Sequence, residues 1–203
     1  MSFKKIAPQV VEALQVAEIT HLSEFGQQLF SAVKSGVHIF ALAPIKSGKT
    51  TAALVTCFNK VNQQLDGAPR ILYVCGSIDA AIDVHERMTP IATKLDVTLD
   101  LVHDKGDMVL QRNNIFNGTE IIIGTIKRIF DLYVQNGINV QSLNYIIFDD
   151  FDEILTQGKI MEVKRLIEGV QKTQIICLAN EKNQRVSYFL ESAPLDFKVF
   201  EEE

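Results

Sequence analysis

Residues 43–50, with the sequence APIKSGKT, combine the residue types that bind a phosphate group. Phosphate binding requires exposed backbone N–H groups, the N-terminus of a helix and a cation. Gly48 allows close approach of the backbone, Lys49 can reach the β- and γ-phosphates of a nucleotide, and the Thr50 hydroxyl can hold Mg²⁺. An apolar, strand-like run precedes this segment and a good helix sequence, TAALVTCFNKV, follows it, so the context favours a phosphate-binding loop over a surface turn. The cofactor-binding residues predicted here are Ala43, Lys46, Ser47, Gly48, Lys49, Thr50 and Thr51.

The loop differs from the usual pattern, G-x-x-x-x-G-K-[ST], at its first position, which is Ala43. Lys46 also stands inside the loop, where related loops often have glycine. A bulky residue at this position is strained if the backbone takes a positive φ angle. A second lysine would also add affinity for phosphate, and the sequence leaves open which effect is larger.

An apolar run ends in a cluster of carboxylates within residues 143–155, LNYIIFDDFDEIL. Carboxylates at the end of a buried strand need a cationic partner. In a phosphate-loop protein that partner is the Mg²⁺ of the nucleotide. Alternatively, Asp149, Asp150 and Asp152 form the acidic N-terminus of a helix that begins near Ile154. Because Lys49 and Thr50 lie upstream, we favour the metal interpretation, with Asp149 as the metal-binding carboxylate.

Short apolar runs alternate with helical patterns along the chain. The predicted strands are residues 37–43, 70–75, 97–102, 120–125, 143–149 and 173–179, and the predicted helices are residues 26–35, 48–65, 78–95, 127–135, 159–170 and 181–191. This alternation predicts an α/β fold with a mostly parallel, doubly wound sheet flanked by helices. Ligands of such a sheet bind beyond the carboxyl ends of its strands. The loop 43–50, Thr125 and Asp149 all fall at such ends.

The composition is that of an ordinary globular protein. The chain has 203 residues, of which 47% are hydrophobic and 22% charged, and this length suits one domain. The net charge of -5 excludes a non-specific polyanion binder, so any contact with nucleic acid must be local. Neither a membrane span nor a signal-peptide core is visible, which predicts no membrane partner and a cytoplasmic location.

Taken in order, these motifs make the chain resemble the N-terminal RecA-like domain of a DEAD-box RNA helicase over essentially its whole length. APIKSGKT resembles motif I of that family, A-x-T-G-S-G-K-T. Residues 149–152, DDFD, fall on the D-E-A-D motif, and residues 118–133, GTEIIIGTIKRIFDLY, resemble G-x-x-I-x-V-G-T-P-G-R-x-x-D-L. The resemblance implies a RecA-like P-loop fold that binds ATP and Mg²⁺. It implies catalytic roles for Lys49, Asp149 and Asp150, and a metal site at Thr50 and Asp149.

Several positions depart from the family. The Q motif, T-x-I-Q, falls on residues 23–26, SEFG, so the adenine-reading glutamine is displaced and Gln27 or Gln28 would substitute. Phe3 lies where the family has an aromatic residue that packs on adenine. The glutamate of D-E-A-D, which orients the attacking water, is Asp150, and a misplacement of about 1 Å can lower the rate on the order of a hundredfold. The S-A-T motif retains only Ala179.

The family grips single-stranded RNA through its phosphate backbone, and residues 125–128 match part of that surface. Thr125, Lys127 and Arg128 follow Gly124 at a predicted strand end and open a predicted helix, so a phosphate could dock on the free N–H groups there. A solvated helix start with an ordinary Lys-Arg pair is the alternative. Any RNA affinity should be weak and dependent on salt.

The resemblance also predicts the organisation of the chain and its partners. Residues 1–203 are expected to form a single domain, with residues 1–36 as a lead-in that contains the Q-motif region and residues 37–203 as the P-loop core. The resemblance implies a second RecA-like domain as a partner, in the same or another chain. Without that partner, this domain should show weak or no ATP hydrolysis. A decayed pseudo-helicase that serves as a protein- or RNA-binding scaffold is the alternative. An unrelated P-loop NTPase would be favoured if the strand that carries Asp149 did not lie beside the strand that leads to Ala43.

Overall fold

The computed structural model describes residues 6–62 and 69–202. Its helices are α1 (Pro8–Val16), α2 (Glu24–Val33), α3 (Lys49–Lys60), α4 (Ile78–Leu95), α5 (Met108–Phe116), α6 (Ile126–Val134), α7 (Phe151–Thr156), α8 (Ile160–Glu168) and α9 (Gln184–Ser192). Its strands are β1 (Ile39–Leu42), β2 (Ile71–Cys75), β3 (Leu99–Val102), β4 (Ile121–Thr125), β5 (Tyr145–Phe148), β6 (Gln174–Ala179) and β7 (Lys198–Glu201).

The strands form one seven-stranded sheet in the order β3-β4-β2-β5-β6-β1-β7, and every neighbouring pair is parallel. The predicted α/β fold with a parallel sheet is thus confirmed. Parallel neighbours need crossover connections, and the helices supply them. All seven strands end at the same edge of the sheet, so the turns that follow β1, β4 and β5 lie at one side of the molecule.

The strand that carries Asp149 does not lie beside the strand that leads to Ala43, because β6 separates β5 from β1. The condition that was taken to favour an unrelated P-loop NTPase is therefore met by the strand order. Neighbouring strands lie about 4.8 Å apart, so the ends of β1 and β5 are separated by about 10 Å. Side chains from the P-loop can span that distance, and the end of β6 enters the site between them.

Alternate residues of each strand face two separate hydrophobic cores. Ile39 and Ala41 of β1 pack with helices α1 to α4, whereas Phe40 packs with helices α5 to α9. The central strands are buried on both faces, and this burial explains their continuous apolar runs. Edge strand β3 is only partly buried. Helices pack on both faces of the central sheet and leave the carboxyl ends of its strands open.

Six predicted helices and six predicted strands correspond to observed elements, and α4 has the predicted bounds although Pro90 lies inside it. Four elements were not among the predicted ones, namely α1, α5, α7 and β7. A helix at the position of α7 was considered only as the alternative interpretation of the acidic segment. Helix α5 buries only Gln111 and Ile115, so it has no apolar periodicity to detect. Strand β7 is an exposed edge strand without an apolar run. Helix α1 did carry a signal, since Pro8 stands at its N-terminus and Val10 and Leu14 form a buried stripe.

The lead-in region packs on the same core as the P-loop helix. Val10 and Leu14 of α1 and Phe25 of α2 are buried in the cluster that contains α3 and α4. Of the helices in residues 6–62 and 69–202, none is long and apolar enough to cross a membrane.

Candidate nucleotide-binding site

The turn between β1 and α3 requires glycine at position 48. Gly48 has a φ of 97° and caps the N-terminus of α3. A Cβ atom at this position would collide with the hydroxyl of Ser23. Ser23 in turn accepts a hydrogen bond from the Gly26 N–H at 3.0 Å and donates one to the Ser47 carbonyl at 2.5 Å. Helix α2 therefore holds the P-loop against the start of α3 through one serine.

Lys49 is buried, with 5% of its surface exposed, and its ammonium points into the loop. It donates to the carbonyl of Ala43, to the carbonyl of Pro44 at 2.8 Å and to the Ser47 hydroxyl at 3.3 Å. Burial lowers the pKa of Lys49, and the nearby carboxylates, first of all Asp149, oppose this shift. The ammonium thus lies between the loop and the acidic strand end, where a nucleotide phosphate would be bound.

Asp149 follows β5 and is almost fully buried, with 4% of its surface exposed. It accepts hydrogen bonds from the Tyr73 hydroxyl at 2.7 Å and from the Asp150 N–H at 3.1 Å. Burial raises the pKa of Asp149, while the hydrogen bond from Tyr73 and the nearby hydroxyl of Thr50 act in the opposite direction. Because Thr50 belongs to α3 and Asp149 follows β5, the fold brings the two motifs close together.

Thr50 and Asp149 have the donor atoms that Mg²⁺ prefers, a hydroxyl and a carboxylate oxygen. Mg²⁺ is usually bound by one or two carboxylates together with phosphate oxygens and water. The described part of the chain contains no group of three or more His, Cys, Asp or Glu residues that could hold a metal alone. The residues present therefore fit a metal that arrives with a nucleotide.

Asp150 and Asp152 are both tied to the end of β6. The Asn180 side-chain amide donates to the Asp150 carboxylate at 2.8 Å, and the Asn180 backbone N–H donates to Asp152 at 2.8 Å. Asp150 takes a left-handed backbone conformation, with a φ of 52°, and caps the N-terminus of α7. The acidic segment is therefore both a strand end and a helix N-terminus, so the two interpretations of its sequence do not exclude each other.

The P-loop, Asp150 and Asn180 surround a cavity of about 630 Å³, which is large enough for a small organic ligand. Asp149 is buried behind this cavity and is not among its lining residues. Thr51 of α3, Asp150 and Glu153 line the cavity. Arg87 of α4 also reaches the cavity and donates to the Thr51 hydroxyl at 3.2 Å. The cavity brings together the loop residues 45–51 and the acidic turn after β5.

Lys46 lines this cavity in a left-handed conformation, with a φ of 71°. The backbone therefore takes the positive φ angle that would strain a side chain at this position. Its ammonium is exposed and remains available to a phosphate.

The residues proposed to read adenine are less well placed. The Gln27 amide donates to the Leu22 carbonyl at 2.9 Å, and Gln27 is exposed on α2. Gln28 lines a separate cavity of about 230 Å³ together with Phe25 and Glu202. Phe3 lies outside the described residues. An adenine-reading role for Gln27 or Phe3 stays a prediction.

The predicted RNA-binding residues differ in exposure. Lys127 is 56% exposed and pairs with Asp104 at 3.6 Å. Arg128 is buried, and its guanidinium donates to Gln111 at 3.0 Å and to the carbonyls of Asp104 and Gly106 at 3.2 Å. Thr125 precedes α6, and its buried hydroxyl has no hydrogen-bond partner among the described residues. Arg128 therefore holds the loop after β3, while Lys127 is exposed to solvent and the residues beside it, Thr125 and Ile126, are buried.

Sequence reasoning missed the roles of three residues. Asn180 stands at the last position of the segment compared with S-A-T, and that alignment was the only signal for it. Arg87 lies mid-helix and had no local signal, because only packing brings α4 to the P-loop. Tyr73 lies inside an apolar strand, and its hydrogen bond to Asp149 depends on the register between β2 and β5.

The sheet and the site define a P-loop domain of the RecA-like type. The family model described as DEAD/DEAH box helicase matches residues 23–187, and the chain therefore belongs to that family. An ATP-dependent RNA helicase RhlB from Erwinia tasmaniensis is 25% identical over 200 residues, which cover 96% of this chain and 44% of that protein. A DEAD-box ATP-dependent RNA helicase CshC from Bacillus cereus is 21% identical over 169 residues, which cover 83% of this chain and 43% of that protein.

Two solved structures share the fold. A DEAD box protein from Methanococcus jannaschii superposes with a TM-score of 0.89 at 17% identity, covering 100% of this chain and 56% of that one. The S. cerevisiae dbp5 structure bound to gle1 and ip6 gives a TM-score of 0.83 at 18% identity, covering 100% of this chain and 52% of that one. The chain thus corresponds to the N-terminal RecA-like domain and spans less than half the length of these curated relatives.

Proposed function

We propose that this chain binds ATP with Mg²⁺, as the N-terminal domain of an ATP-dependent RNA helicase. The proximity of Thr50 and Lys49 to the buried carboxylate of Asp149 is the observation that supports this proposal most directly. Lys49 would bind the β- and γ-phosphates, and Thr50 and Asp149 would hold the metal. The N–H groups at the start of α3 would bind the phosphates, with Ala43 and Ser47 in the preceding loop and Thr51 in the first turn of the helix.

Calorimetric titration with MgATP tests this proposal on the wild-type chain, Lys49→Ala and the control Lys105→Ala. Lys105 is exposed in the turn after β3, so its loss removes the same charge without touching the cavity. We expect binding by the wild type and the control, and at least about tenfold weaker binding by Lys49→Ala. Absence of binding by the wild type, or equal binding by all three proteins, would contradict the proposal.

Hydrolysis is proposed to depend on a second RecA-like domain. Asp150 would act as the base that orients water, but its carboxylate is one methylene shorter than a glutamate and already accepts a hydrogen bond from Asn180. In this family the second domain supplies cations to the reacting phosphate, so the isolated chain should turn over ATP slowly or not at all.

A scaffold without ATP turnover is the second candidate, because Asp150 replaces the glutamate of the D-E-A-D motif. RNA-stimulated ATP hydrolysis by the longest native form of the protein distinguishes the two candidates. Strong stimulation that Asp150→Asn abolishes supports the helicase. Unchanged ATP binding without measurable turnover supports the scaffold.

RNA is proposed as a ligand of the N-terminus of α6. The observation that supports it is the exposed side chain of Lys127 in the first turn of α6, although its ammonium also pairs with Asp104. Because the net charge is -5, the affinity should be weak and should decrease with salt.

A further inference from the structure

A second cavity lies at the edge of the sheet opposite the nucleotide-binding site. Its volume is about 570 Å³. Tyr145 and Gln174, the first residues of β5 and β6, line it, and so does His38, which immediately precedes β1. The nucleotide-binding site lies beyond the carboxyl ends of the same strands. The two cavities are therefore separated by the length of the sheet.

The charge of this second cavity is opposite to that of the chain as a whole. Three lysines line it, namely Lys34, Lys60 and Lys172, and no aspartate or glutamate is among its described lining residues. Lys60 and Lys172 form no ion pair with any residue in the described ranges 6–62 and 69–202. A cavity of this composition concentrates anions, even though the net charge of the chain is -5.

Two further groups at the cavity can donate hydrogen bonds. The side-chain amide of Asn144 forms no hydrogen bond with a described residue. The Nδ1 atom of His38 accepts a hydrogen bond from the Ile175 N–H at 3.1 Å, so the neutral imidazole carries its proton on Nε2. By contrast, the amide of Gln174 already donates to the carbonyls of Val33 and Val37 and thereby holds the turn before β1 in place. The cavity combines exposed cations with polar side chains that hydrogen bonds hold in place.

The remaining wall of the cavity is apolar. Ile167 and Val170 of the α8 region and Leu195 provide aliphatic surface, and Tyr145 provides an aromatic ring whose centroid lies 6.0 Å from the Lys60 ammonium. Small-molecule sites are typically cavities of about 300–1,000 Å³ with mostly apolar walls and a few convergent polar groups. This cavity differs from a group of exposed lysines on a convex surface, which would be neither enclosed nor next to an apolar wall.

We propose that this cavity is a second small-molecule site, which binds an organic phosphate through Lys60 and Lys172. The lysines would bind the phosphate, and the apolar wall with Tyr145 would contact the organic part. Single-stranded RNA is a poorer match, because RNA-binding surfaces are grooves that follow the backbone over several nucleotides, whereas these cations surround one cavity. The inference is independent of ATP binding, since it uses none of the residues of the P-loop.

The test is an NMR titration of the ¹⁵N-labelled chain with AMP and, separately, with inorganic phosphate, both in buffer with EDTA. We expect AMP to shift the Asn144 side-chain signals and the backbone signals of Lys172 and Gln174, and to bind there more tightly than inorganic phosphate. The variant Lys60→Gln/Lys172→Gln should bind AMP at least about tenfold more weakly at these signals. The control Lys94→Gln/Lys105→Gln removes two exposed lysines elsewhere and should behave like the wild type.

The charge-conserving variant Lys60→Arg/Lys172→Arg should retain AMP binding. It therefore shows whether the weaker binding of the glutamine variant results from the lost charge or from a folding defect. Signals of Gly48 and Thr50 report on the P-loop in the same spectra, so a failure of either site is visible separately. The inference would be overturned if AMP shifts only the P-loop signals, or if inorganic phosphate binds as tightly as AMP. It would also be overturned if an RNA oligonucleotide shifts the cavity signals while AMP does not.

Discussion

Lys46 occupies a backbone conformation that favours glycine, and it does so inside the proposed phosphate site. Its φ of 71° costs a side chain on the order of 1–2 kcal/mol relative to the right-handed region. Strain of this kind persists only where the surrounding structure enforces it. The loop here is fixed on one side by β1 and on the other by Gly48 and Ser23.

Substitution Lys46→Gly is expected to increase the free energy of unfolding by about 0.5–1 kcal/mol, because glycine adopts this φ without strain. Chemical denaturation measures the change. Lys105→Gly is the matched control, since Lys105 has no positive φ, and it should decrease stability by up to about 1 kcal/mol. A decrease for both variants would contradict the assignment of strain. MgATP titration of Lys46→Gly then shows whether the lost ammonium also binds phosphate.

At the residue scale, the sequence predicted those contacts that lie within a single motif. Lys49 and Thr50 are adjacent to Gly48, so their approach to the loop follows from local geometry. Arg87 and Tyr73 reach the site only through the packing of α4 and the register of β2, and neither leaves a pattern in the sequence.

At the scale of elements, α6 places two neighbouring basic residues in different environments. Lys127 is exposed, whereas Arg128 is buried and holds the loop that follows β3. Their spacing alone could not reveal this division, because the loop that Arg128 contacts is far away in the sequence. Helix α5 was missed for a related reason, since its apolar residues Val109, Leu110 and Phe116 are exposed.

Lys127→Ala and Arg128→Ala are expected to have different effects. Lys127→Ala should change stability by less than about 0.5 kcal/mol and reduce the salt dependence of RNA binding by about one unit of slope. Arg128→Ala should decrease stability by about 2–3 kcal/mol, because it leaves the buried side chain of Gln111 and two partly buried carbonyls without their donor. Urea denaturation and fluorescence anisotropy with an RNA oligonucleotide measure the two effects. Equal loss of stability in both variants would contradict the structural role of Arg128.

His38, which immediately precedes β1, predicts that the stability of the fold depends on pH. Burial lowers its pKa from the ordinary value of 6.5, so the unfolded chain binds a proton at a higher pH than the folded one. The contribution of His38 to stability is therefore complete above pH 6.5 and is lost as the pH falls below it.

The substitution His38→Asn tests this pH dependence, because an asparagine oxygen can still accept the hydrogen bond from the Ile175 N–H. The loss of stability between pH 7.5 and about 5.5 should be smaller in His38→Asn than in the wild type. His85, whose pKa burial also lowers, remains in both proteins and cancels in the comparison. Identical pH profiles in urea denaturation would refute the role of His38.

At the scale of the whole molecule, we propose that residues 1–203 fold as one domain, as the sequence predicted. Helices α1 and α2 share the core of α3 and α4, which supports this proposal. The parallel sheet and the strand–helix alternation could be predicted because buried strands are continuously apolar. The position of β6 between β1 and β5 could not be predicted from the sequence, because strand order depends on which helices cover which face of the sheet.

Leu14→Ala in α1 is expected to reduce the free energy of unfolding by about 2–5 kcal/mol, because Leu14 is fully buried. The loss should appear as one cooperative transition shared by near-ultraviolet circular dichroism and tyrosine fluorescence. Val16→Ala, at a position that is 55% exposed on the same helix, should change stability by less than about 0.5 kcal/mol. An early, separate transition confined to residues near α1 would show that the lead-in region folds independently.

The ammonium of Lys49 is already solvated by protein oxygens, those of Ala43, Pro44 and Ser47. The nucleotide binding proposed here would therefore be an exchange reaction, in which phosphate oxygens displace the oxygen atoms of the loop itself. The affinity would then depend on how readily residues 43–47 release the lysine, as well as on the contacts made afterwards. Since the Ser23 hydroxyl donates to the Ser47 carbonyl, Ser23 would influence the affinity through the position of the loop.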